Sequence, residues 1–191
     1  MDADGLTFVV ATTAEERVAR RAGLETVRVG VGVANGVPEG RLVSFGVAGS
    51  LGGLQVGEVL DATRVVDETG ATLWEGPGLG ARGARAGVLL GGAGLVHDAA
   101  ERDRLRAASG ADAVYMESGT LARSGRLAGV VRAISDDASS TVEGLDTTVH
   151  ADGRTNVLGL LRWIATQRAD AVRSIRGALR ALKALEQAVA T

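Results

Sequence analysis

Short apolar runs that stop on glycine recur along this chain, and no other feature narrows its fold as much. TVRVGVG at 26–32, LVSFGVAG at 42–49 and GVLLGG at 87–92 each place branched aliphatic side chains in a stretch too short for a helix. The closing glycine lets the backbone leave the run through a tight turn. With 28 Gly and only 2 Pro among 191 residues, the pattern predicts many strand-to-loop crossings in an ordered domain. TFVVA at 7–11, AVYM at 113–116 and the run 127–135 read as further strands. VGEVLDATRVVD followed by ETGATLWEG predicts a strand pair turning at Glu68–Gly70.

Helical stretches lie between these runs. TAEERVARRAG carries acids in its first turn and a glycine just past its end, and HDAAERDRLRAASG at 97–110 and the stretch 118–123 follow later strands. Near the C-terminus, Val172, Ile175, Leu179, Leu182 and Val189 fall at helical spacing, which predicts a packing stripe with arginines on the other faces. Strands alternating with helices imply one α/β domain over residues 1–191, built on a mixed or parallel sheet and ending in a helical segment at 155–190.

Several function classes are excluded or disfavoured. With no Cys there is no disulfide or thiolate nucleophile, which suits a reducing compartment, and a cytoplasmic location is expected. His97 and His150 lie far apart, so neither a zinc site nor a Ser-His-Asp triad is expected. GVGVANG misses the dinucleotide fingerprint, and LLGGAG lacks the Lys and hydroxyl of a phosphate loop; no metal or organic cofactor is expected. The start, MDADGLTF, does not read as a signal peptide, and no apolar run approaches the roughly 18 residues of a membrane span. Net charge is −2, but residues 154–191 hold seven basic groups against two acids. That asymmetry does not fit a uniformly basic nucleic-acid binder. It leaves two readings for the last helix: a solvated helix, or a peripheral contact with an anionic membrane surface. Trp74 and Trp163 read as packing residues.

Two acids stand out. Glu117 and Asp136 each follow an apolar strand, and the two strands are joined by one short helix. Crossover connections of that kind bring strand ends towards a common rim, where α/β sheets bind ligands. Glu15 and Glu16 follow the first strand at the corresponding rim. Such carboxylates could form an acid/base pocket. Equally, Glu117 could serve a helix dipole and Asp136 a cap, and the first-turn pair could be ordinary helix acids.

At these residues the chain resembles the nucleoside phosphorylase/nucleosidase superfamily. VSFGVAGSLGGLQVGEVLDA is similar to its glycine-rich ligand loop, AVYMES to its Met-Glu ribose motif, and VVRAISDDA to its R-x-I-S-D-x-A purine motif. Within it, TAEERVARRAG, SFGVAG and the tail LLRWIATQRADAVRSIRGALRAL resemble the hopanoid-associated branch, thought to act on adenosylhopane. The resemblance implies a partly barrel-like mixed sheet flanked by helices, a small-molecule nucleoside substrate and a homodimer. It implies that Glu117 with Met116 holds the ribose hydroxyls, and that Asp136 with Ser135 meets purine N7. Glu15, or Glu16 if the register shifts, would lie near the attacking water. Ala48 and Gly49 would line the ligand loop, and the backbone at Leu95 and Val96 would clamp the base.

The chemistry explains those residue types. Breaking a purine–ribose bond builds positive charge on the sugar and negative charge on the base. An ionised Glu117 would hold the diol close to the former. Asp136 would protonate or hydrogen-bond the latter, and to keep a proton it would need burial or a like charge beside it. The loop Gly46-Val47-Ala48-Gly49 departs from the resemblance, lacking the Ser that can touch phosphate or water, and no Arg precedes it within the strand read at 42–48. Hydrolysis is therefore expected over phosphorolysis. The segment between Gly32 and Arg41 is also short, where a helix usually follows, which keeps a catalytically reduced nucleoside binder as the other reading.

Overall fold

The computed structural model describes residues 3–92, 96, 98–136, 152 and 168–190. In order, the elements are β1 (Leu6–Val10), α1 (Thr13–Arg21), β2 (Thr26–Arg28), a 3-10 turn (Val31–Val33), β3 (Arg41–Ser50), β4 (Val59–Val66), β5 (Thr72–Glu75) and β6 (Arg85–Leu90). Then come α2 (Ala99–Ser109), β7 (Ala113–Val114), α3 (Met116–Arg123), β8 (Leu127–Asp136) and α4 (Arg168–Val189). His97, His150, Trp163, Leu95 and residues 155–167 of the expected helical segment lie outside the described residues.

The sheet closes partly on itself. β3 pairs with β8 in parallel, β8 with β4 antiparallel, β4 with β6 in parallel, β6 with β7 in parallel, and β7 returns antiparallel to β3. Five strands thus form a ring; β1 and β2 extend from β3, and β5 from β4. The partly barrel-like mixed sheet expected from the sequence is present. The hairpin between β4 and β5 is also as expected, its turn held by Asp67 Oδ1, which accepts from the Thr69 and Ala71 amides.

β3 is the axis of the molecule, because one of its edges is shared by two strands. β1 covers Arg41–Ser44 and β7 covers Gly49 and Ser50, so the edge between them lacks a strand partner. β8 runs along the opposite edge, from Leu42 to Gly49. The strands leading to Glu117 and Asp136 are therefore not neighbours with aligned ends. They flank β3 from either side, in opposite directions relative to it.

The core follows from the apolar runs. Phe8 and Phe45 meet edge-on at 5.5 Å between centroids and join Val43, Val131 and Ala133 in one cluster. Leu42, Leu60, Val65, Leu89, Val130 and Ile134 fill another. α4 enters the first cluster through Ala181, Leu185, Ala188 and Val189, and Gly177 lets its backbone approach the Ser135 carbonyl. The predicted stripe on this helix is wrong at two places. Val172 and Leu179 are 44% and 62% exposed, because the inward face runs through Gly177, Ala181, Leu185, Ala188 and Val189. The strand expected at 26–32 ends at Arg28, where Gly30 and Gly32 adopt positive φ and turn the chain.

Candidate active site

The site grows from the uncovered edge of β3. There the Val47 amide donates to Glu15 Oε1 at 2.9 Å, replacing the strand partner that β1 and β7 fail to supply. Oε2 of the same carboxylate accepts from the amides of Ala11 and Thr12 and from the Thr12 hydroxyl, at 3.1, 2.9 and 3.0 Å. Thr12 in turn caps α1, accepting from the Glu15 amide, so Glu15 completes a capping box. Its ordinary helix role and its place in the site coexist in one residue. Glu16 points elsewhere, pairing with Arg20 and Arg28 at the surface.

Gly46 makes this arrangement possible. Its φ is +145, and a Cβ there would fall on the Glu15 carboxylate and 2.6 Å from Nη1 of Arg132. Both a left-side backbone and a missing side chain are needed at this one position.

Arg132, from β8, is the hub. It is 1% exposed, its Nη1 lies 3.9 Å from Glu15 Oε1 and 3.5 Å from the Val47 carbonyl oxygen, and Nη2 donates to the Ser44 hydroxyl. Ser44 and Ser118 share a hydrogen bond of 2.8 Å, tying β3 to α3. The guanidinium carbon sits 3.3 Å above the Tyr115 ring, a cation–π contact.

Glu117 lies in the first turn of α3, where the sequence pattern placed a strand end: β7 stops at Val114, two residues earlier than expected. Met116 opens the same helix and is half-buried. The Glu117 side chain is buried and its Oε1 accepts from the Gly32 amide at 2.9 Å. Burial pushes its pKa up, against the pull of the Gly32 hydrogen bond and of Arg132, while the charge of Glu15 adds to the rise. Glu117, Glu15, Arg132 and Tyr115 thus form one electrostatic group.

Asp136 anchors the other half. Its Oδ2 accepts from Arg102 Nη2 at 2.7 Å and its Oδ1 from the Ser135 hydroxyl at 2.8 Å. Arg102 comes from α2, is 1% exposed, and also donates to the Ser50 carbonyl at 2.7 Å. The charge beside Asp136 is that of Arg102, opposite in sign, and the Asp136 side chain is 17% exposed. Gly49 permits the pair to cross β3, since a Cβ there would lie 2.9 Å from Asp136 Oδ2. Ser135 also donates to the Ala48 carbonyl at 3.3 Å.

The two halves are joined by consecutive residues of β3. Val47 serves Glu15 and Arg132, Ala48 meets Ser135, Gly49 adjoins Asp136, and Ser50 holds Arg102. Three strand steps span about 10 Å. Val96 has its side chain buried in an apolar cluster with Leu51, Leu90 and Leu105. Among the described residues, no three His, Cys, Asp or Glu side chains converge as a metal site would need. Among them also, no helix is long and apolar enough to cross a membrane.

Solved structures share this architecture from end to end. A 5'-methylthioadenosine/S-adenosylhomocysteine nucleosidase from Helicobacter pylori, bound to butyl-thio-DADMe-Immucillin-A, superposes with a TM-score of 0.56 at 17% identity, covering 96% of this chain and 97% of that one. The fold is one that solved nucleosidases share. The H. pylori futalosine hydrolase matches it at 0.53 and 16% identity over 96% and 97% of the two chains. The S. pneumoniae 5'-methylthioadenosine/S-adenosylhomocysteine nucleosidase with MT-ImmA matches at 0.54 and 16%, over 94% and 99%. No protein-family model matches the chain, and no curated protein does. Within this fold, the residues missed by sequence reasoning are Arg132, Arg102, Tyr115, Ser44 and Ser118. Arg132 stood in the quoted RAISD motif without a role assigned to it. Arg102 could have been found from its spacing with Leu105 and Ser109, the three residues that form the buried face of α2.

Proposed function

We propose that this chain is a nucleosidase that hydrolyses the N-glycosidic bond of a purine nucleoside, an adenine nucleoside carrying a bulky 5'-substituent such as the hopanoid of adenosylhopane. The observation that carries the reading is the pair of polar clusters strung along Val47–Ser50, one centred on Glu15, Arg132 and Glu117 and the other on Asp136, in a fold shared with nucleosidases. In this reading Glu117 accepts hydrogen bonds from the ribose hydroxyls beside Met116, and the positive charge growing on the sugar is stabilised by the nearby carboxylates. Glu15 Oε1 carries fewer protein donors than Oε2 and is the oxygen that takes the proton of the attacking water. Asp136, fixed by Arg102 and Ser135, contacts the departing base. Glu16, paired at the surface, drops out.

Hydrolysis is favoured over phosphorolysis because the two buried guanidiniums among the described residues, Arg102 and Arg132, already lie against carboxylates. The test is release of free adenine from 5'-substituted adenosines, with and without phosphate. Phosphate-independent release that disappears in Asp136→Asn supports the reading; adenine that appears only with phosphate, as ribose 1-phosphate accumulates, supports a phosphorylase; binding without any release supports a reduced binder. The exposed Val172 and Leu179 beside Arg173, Arg176, Arg180 and Lys183 support a peripheral contact of α4 with an anionic membrane. Salt-sensitive co-sedimentation with anionic but not neutral liposomes is the expected result.

A further inference from the structure

Tyr115 has a hydroxyl for which the fold has no evident use. Its backbone amide is fixed by the Leu90 carbonyl at 2.9 Å, and its ring is pinned beneath Arg132. Its hydroxyl oxygen is buried yet makes no hydrogen bond among the described residues, and the same holds for Nε of Arg132 immediately above the ring. A buried polar atom without a partner costs free energy, and phenylalanine would fill the same space without that cost. Two such atoms on side chains stacked against each other leave hydrogen-bonding capacity that a polar atom of a ligand can use.

Burial and the charges of Glu15 and Glu117 push the phenol pKa well above the usual 10.0, against the pull of Arg132. At neutral pH the group is therefore a hydrogen-bond donor. Glu117, two residues on, offers acceptors. A sugar hydroxyl both donates and accepts, so a carboxylate and a phenol together satisfy it where either alone would not.

We propose that Tyr115 is a further substrate-binding residue whose hydroxyl donates to an oxygen of the bound sugar, next to the hydroxyls that Glu117 accepts. This rests on the nucleosidase reading. It assigns to Tyr115 discrimination between a hydroxylated sugar and its deoxy counterpart, leaving recognition of the base to the Asp136 end.

The test is calorimetric titration of the full chain and of Tyr115→Phe with a carbon-linked adenosine analogue that cannot be cleaved, its 2'-deoxy and 3'-deoxy forms, and adenine. The expected result is a loss of roughly threefold to tenfold for the ribosyl analogue in Tyr115→Phe, no loss for adenine, and disappearance of the loss for one of the two deoxy sugars. Without ligand, the variant should melt no lower than the parent, because the hydroxyl has no protein partner to lose. Equal affinity of parent and variant for the ribosyl analogue overturns the proposal alone. So does an equal loss for all ligands including adenine, or a lower melting temperature of the ligand-free variant. A parent chain that binds none of these nucleosides overturns the nucleosidase reading, and this proposal falls with it.

Discussion

Individual side chains in this molecule carry more than one duty, and Gly46 and Glu117 show how substitutions would separate them. Gly46→Ala would drive a methyl into the Glu15 carboxylate on a backbone that L-residues avoid. A loss of about 2–4 kcal/mol is expected, read as a lowered denaturant midpoint. Glu117 has its folded pKa raised by burial, so its acid form favours the native state. The stabilisation is complete below the ordinary carboxyl value near 4.5 and is lost as pH rises through the higher folded value. Glu117→Gln should therefore gain melting temperature relative to the parent as pH rises from 4 to 8, the two converging in acid. Sugar hydroxyls donating to Glu117 favour its ionised form, so nucleoside affinity should strengthen with rising pH over the same window, with proton release seen in buffers of differing ionisation heat.

Among the elements, α2 and α3 show best what the sequence could and could not reveal. Strands were readable because β-branched runs have few other uses, and the acid at the end of β8 was visible for the same reason. The pairing was not readable: β7 is two residues long, and its attachment to both β3 and β6 depends on contacts distant in sequence. Arg102 was hidden because charge on a helix ordinarily faces water, and the apolar or small residues of this stretch are Ala99, Ala100, Leu105 and Ala108. The actual inward side is Arg102, Leu105 and Ser109. Arg102→Met should cost about 2–4 kcal/mol, since Asp136 would lose its partner inside the fold. Adding Asp136→Asn should restore part of that loss, which a double-mutant cycle of unfolding free energies would register. α3 rests backbone to backbone on the residue that follows β6: a Cβ on Gly119 would lie 2.7 Å from the Gly91 carbonyl group. Gly119→Ala should therefore displace Glu117, weakening nucleoside binding more than it lowers stability.

The whole molecule is organised around β3, whose edge passes from β1 to β7 and leaves a short stretch uncovered between them. No local pattern could have announced that gap, because it exists only once three separate strands have docked. One carboxylate fills it, holding the amides of Ala11, Thr12 and Val47 together. Opening the start of α1 and baring the middle of β3 are consequently a single event. Deuterium should enter those three amides in concert, at a common rate and with a common dependence on denaturant, although 34 residues separate Thr12 from Val47 along the chain. The chain's first helix is in this sense a latch on its central strand, and the two can be prised apart only together.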